Sequence, residues 1–71
     1  MTDREVQALA AMRRLKEEAS DIRRRMRLTE GAEGWMALSR RLGDVREEWK
    51  RMDQERMNAA EERMRLLGHI Q

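Results

Sequence analysis

Apolar residues recur along this 71-residue chain at alternating three- and four-residue steps, first as Met12, Leu15, Ala19, Ile22 and Met26, then as Trp35, Leu38, Leu42, Val45, Trp49 and Met52. That rhythm holds one stripe on one face of a helix turning about 3.6 residues per turn, so each run predicts an amphipathic helix. Val6 and Leu9 are read as carrying the first stripe toward the N-terminus. Thr2 and Glu5 have the spacing of a capping box, in which the hydroxyl accepts from the third amide and the carboxylate reaches back. The first helix is therefore expected over about 3–29. Asp21 and Arg25, Glu47 and Arg51, and Glu61 and Arg65 stand four residues apart, the spacing of weak surface ion pairs.

The second helix is expected over about 33–68, with Gly68 as its stop and Arg63, Arg65 and His69 suited to its negative end. Its pattern changes part-way. A five-residue step separates Met52 from Met57, after which Met57, Ala60, Met64 and Leu67 keep a helical rhythm of their own, predicting a stutter that rotates the apolar seam.

Between the two runs lie Gly31 and Gly34, in a chain without proline. A single rod would carry the first heptad phase onto Glu33, Arg40 and Gly43 and would place Gly31 and Gly34 in a helix interior at about 1 kcal/mol each relative to alanine. The chain folds back instead, with Gly31 expected as a left-handed cap and a turn at about 30–33. The fold class is all-α: one antiparallel two-helix hairpin forming a single domain, 1–71. Folding there sets Met26 near Leu38, Ile22 near Leu42, Ala19 near Val45, Leu15 near Trp49 and Met12 near Met52. Ala19 makes room for Trp49, and Trp35 is placed to staple the tip.

Composition adds a stability problem. With no cysteine and one histidine, neither disulfides nor a sulfur-and-imidazole zinc site can hold so short a chain together. A two-helix hairpin gives each stripe one neighbour, too little to offset chain entropy of about 1.5 kcal/mol per residue. The expectation is an obligate homodimer, most simply a four-helix bundle, with Trp49, Met52, Met57, Ala60, Met64 and Leu67 at the dimer or partner interface.

Charge enters through its clustering. Sixteen basic and fourteen acidic groups nearly cancel, so the pI of about 9.9 overstates basicity. Arg23, Arg24, Arg25, Arg27, Arg40 and Arg41 converge near the turn, while Asp44 to Glu62 is mainly acidic. A basic tip facing an acidic middle would set the register of a head-to-tail dimer. The same six arginines are the candidate nucleic-acid site, guanidinium groups being bidentate phosphate donors. Solvated cations at a helix end are the plainer reading. Met52, Met57 and Met64 are adaptable thioethers that suit an interface.

No catalytic residue, cofactor site or metal site is assigned. His69 has no nucleophile or positioned acid beside it, neighbouring Glu61 and Glu62 point to different sides of a helix, and Gly31 and Gly34 lack the strand and lysine of a phosphate loop. No leader pattern opens the chain, and no apolar run approaches the roughly 18 residues that span a bilayer, so the expected setting is soluble and cytoplasmic without membrane contact. Fourteen arginines against two lysines hint at a GC-rich bacterial genome. The function expected is a small non-catalytic, homodimeric interaction or adaptor protein that binds a protein partner through the apolar stripe of the second helix. The alternative is a nucleic-acid-binding dimer that uses the arginine tip.

Overall fold

In a computed structural model that describes residues 2–68, two helices lie side by side, α1 from Asp3–Leu28 and α2 from Ala32–Gly68. The hairpin measures 60 × 14 × 12 Å. Thr2 caps α1 as its spacing predicts, its side chain accepting from the Glu5 amide at 3.3 Å. The reciprocal half differs: the Glu5 carboxylate accepts from the Thr2 hydroxyl and from Arg63, across the hairpin.

The turn is made without a left-handed residue. Among the described residues none has a positive φ, glycine included, which corrects the cap assigned to Gly31. Thr29 ends α1 instead, in an extended conformation (φ −90°, ψ 123°). Its amide donates to the Met26 carbonyl at 3.3 Å and its hydroxyl to the Arg25 carbonyl at 2.6 Å, so carbonyls left over at the helix end are satisfied locally. Gly34 serves the turn by lacking a side chain: a Cβ there would stand 3.0 Å from Thr29 Cγ2.

Leu15, Ala19 and Ile22 of α1 form one buried core with Leu42 and Val45 of α2, with Met26, Leu38 and Met52 packed against it. This is the half of the seam nearer the turn, and its core is made of residues that the expected fold-back brings together. Toward the open end the contact line departs from the apolar stripes. On α1, Glu5 and Ala8 are buried while Val6 and Leu9 are exposed, so Val6 and Leu9 do not extend the seam. On α2, Met52, Arg56, Ala59 and Arg63 continue the seam as buried or half-buried positions, with Asp53, Glu55 and Ala60 half-buried beside them. The seam keeps its alternating three- and four-residue step throughout. The apolar stripe, not the line of contact, rotates after Met52, carrying Met57, Met64 and Leu67 to the surface.

Gly43 is a mid-helix glycine on the exposed side of α2, and a Cβ there would meet nothing within 4 Å. Gly43→Ala should stabilise the hairpin by about 0.8–1 kcal/mol, the propensity difference between the two residues. Thermal melts of the two proteins at equal concentration would measure it.

Candidate functional site

Repeating the seam positions as a heptad, with a and d inward, sorts the remaining residues into two sides and a back. In an antiparallel pair, g positions of the two helices adjoin on one side and e positions on the other. The g side is fixed by ion pairs. Arg4 donates to Glu55 at 2.7 Å and to Glu62 at 2.6 Å, and Arg41 pairs with Glu18. Hydrogen bonding by Glu55 and Glu62 raises the Arg4 pKa, and bonding by Glu18 raises that of Arg41, so each guanidinium stays charged. Basic and acidic groups are mixed along this side, and Asp21 adds a pair with Arg25 at 3.2 Å.

Within the seam, the 4%-exposed Glu5 accepts from Arg63 Nε at 2.9 Å. That hydrogen bond is the main reason the Glu5 carboxyl lies below the ordinary carboxylate range; burial opposes the shift without reversing it. Each of the three shifted groups is held in its charged state. The arrangement is that of structural ion pairs and not of an acid–base pair poised for proton transfer.

The e side has a different character, and it changes along its length. Near the open end, Val6 and Leu9 from α1 share it with Met57, Ala60, Met64 and Leu67 from α2. Val6, Met57, Met64 and Leu67 are 51%, 51%, 63% and 52% exposed. Leu66, at a seam position where α1 has run out, is exposed beside them, because α2 has 37 residues against 26 in α1. From there to the turn the side is basic: Arg13, Lys16, Arg23 and Arg27 on α1, Arg46 and Lys50 on α2. The one carboxylate on the helices there, Asp53, is occupied by Arg56 at 2.9 Å. Among the described residues, Arg13, Lys16, Arg23, Arg27 and Arg46 have no carboxylate within 4 Å, and Lys50 makes a pair with Glu47 at 3.5 Å.

Of the six residues assigned to an interface, Met52 packs on the core, Trp49 sits at the rim of the seam, and Met57, Ala60, Met64 and Leu67 belong to the apolar end of the e side. Val6 and Leu9 join them, although the sequence reading placed both in the seam. The six tip arginines are not one surface. Arg23 and Arg27 lie on the e side, Arg25 and Arg41 on the opposite side with acidic partners, and Arg24 and Arg40 on the back, with Arg24 3.7 Å from Asp21. Trp35 is half-exposed beside Met26, Arg23, Arg27 and Leu42 near the tip.

Of the three expected surface pairs, Asp21–Arg25 and Glu61–Arg65 form, while Glu47 meets Lys50 in place of Arg51. His69 lies outside the described residues. Among the described residues no group of carboxylates and histidines is placed to hold a metal ion, and no helix is long and apolar enough to cross a membrane. Comparison with family models, with curated proteins and with solved structures gives no match.

Proposed function

We propose that the protein is a non-catalytic, cytoplasmic interaction module that works as a homodimer, the second copy covering the apolar end of the e side. The observation carrying this reading is the convergence of Val6, Leu9, Met57, Ala60, Met64 and Leu67 on one side of one end. A lone hairpin leaves that patch wet, and contiguous exposed apolar surface on a small domain marks a contact site.

Charge selects the geometry. Two hairpins stacked along their full e sides would either oppose six cations to six cations or lay cations over the apolar patch, both unfavourable. Overlap restricted to the open ends buries apolar against apolar about a two-fold axis and leaves the basic stretches free, pointing away from the joint. This arrangement differs from a fully overlapped four-helix bundle: four helices meet only at the joint.

Light scattering should give twice the 8.5 kDa chain mass at micromolar concentration. Met57→Asp with Met64→Asp should weaken association by about a hundredfold or more, as expected for charges placed in the centre of an apolar contact. Met36→Asp, on the same side near the turn, should leave it unchanged. A wild-type chain that remains a single copy at high concentration would refute the reading, as would equal weakening by Met36→Asp.

A further inference from the structure

A groove of about 320 Å³ runs along the basic stretch of the e side, floored by Leu15, Ala19 and Val45 and bordered by Trp49. Lys16, Arg23, Arg46 and Lys50 stand around it. Trp49 is 37% exposed at a seam position, so part of its indole faces the groove. Arg4, Arg25, Arg41 and Arg63 are engaged by carboxylates, whereas Lys16, Arg23 and Arg46 are not; Arg14, Arg40 and Arg51, also without a carboxylate within 4 Å among the described residues, stand on other sides of the helices and do not line the groove. Neighbouring cations without counter-charges repel each other, a cost that a bound polyanion would relieve.

We infer that this groove binds the sugar–phosphate backbone of single-stranded nucleic acid, with a base stacked on Trp49. The unpaired cations supply phosphate contacts, and an aromatic face among them is the sequence-tolerant element of single-strand recognition. A duplex keeps its bases stacked on each other and would leave the indole without a partner. From Arg13 to Arg27 the stretch is about 21 Å long at 1.5 Å per residue, enough for a short run of nucleotides. The site is separate from the apolar end, so it does not depend on whether the chain dimerises, and it takes only Arg23 and Arg27 from the six tip arginines, whose members face three directions.

Fluorescence anisotropy of a labelled oligothymidylate of about twelve nucleotides tests the assignment. If four phosphates are engaged, affinity should fall about fiftyfold between about 50 and 200 mM salt, from a slope of about −0.7 per phosphate. Arg23→Glu with Arg46→Glu should abolish binding. Arg14→Glu with Arg51→Glu makes the same change in net charge on the opposite side and should alter affinity less than about threefold; equal loss in both pairs would reduce the effect to overall charge and overturn the site. In a Trp35→Phe background the strand should quench Trp49 emission, and unchanged emission in the bound state would overturn the stacking. Circular dichroism of each variant guards against misfolding. Preference for phosphatidylserine vesicles, for polyglutamate, or for a duplex of the same length would equally refute the single-strand assignment.

Discussion

Ile22→Ala should unfold the hairpin. Ile22 lies at 4% exposure in the centre of the core, against Leu42 and Val45. Truncating a buried isoleucine costs about 2–5 kcal/mol, combining lost transfer energy with the cavity left behind. A single core in a chain of this size rarely supplies more than about 3–5 kcal/mol, so one substitution removes a margin of the same size. Two helices offer no third layer that could collapse into the space. The expected result is loss of far-UV helicity at room temperature and of a cooperative melt. Leu28→Ala, on a side chain 78% exposed at the end of α1, should change stability by less than about 0.5 kcal/mol. Retained helicity with a cooperative melt in Ile22→Ala would mean that stability resides elsewhere, in which case the dimer contact is the place to look.

The second large effect is expected at the open end, where Glu5 and Arg63 stand at seam positions that a coiled pair would ordinarily give to leucine. Removing one partner leaves the other charge in a partly dry seam, and removing both does not. Arg63→Leu alone should therefore lower the melting temperature, whereas Glu5→Leu together with Arg63→Leu should raise it above that of the natural chain. The sign with pH follows from the lowered Glu5 pKa. Stability from this pair is fully present above the carboxyl's unfolded value, near pH 4, and is lost as pH falls through the lower folded value. The double variant should lose that part of the acid sensitivity. A double variant that melts below Arg63→Leu alone would show that the ion pair itself holds the end closed.

The difference between the two ends also explains what could be read from the chain alone. Met12 to Met26 and Leu38 to Met52 put apolar residues at the positions that touch, so periodicity finds both helices and their pairing near the turn. Beyond Met52 the touching positions are Arg56, Ala59 and Arg63, opposite Glu5 and Ala8. A count of apolar residues passes over these and selects neighbours one position away, Val6, Leu9, Met57 and Met64, which point outward. The signal was present in another form, as opposite charges at Glu5 and Arg63 and small residues at Ala8 and Ala59, and it emerges only when the heptad is carried through polar positions unchanged. The tip arginines separate for a related reason. Closeness in sequence suggested one cluster, but residues one apart on a helix are turned about 100° from each other, so Arg23, Arg24 and Arg25 leave the axis in three directions.

All cross-helix ion pairs flanking the seam, those of Arg4 and Arg41, fall along the same margin of the hairpin among the described residues. Like a book sewn at its spine, the pair of helices is tied along one length and untied along the other. Thermal splaying should open it toward the untied margin, so that the gap beside Trp49 breathes most while the sewn margin moves least, and rising ionic strength should slacken the stitching and make the motion more even-handed.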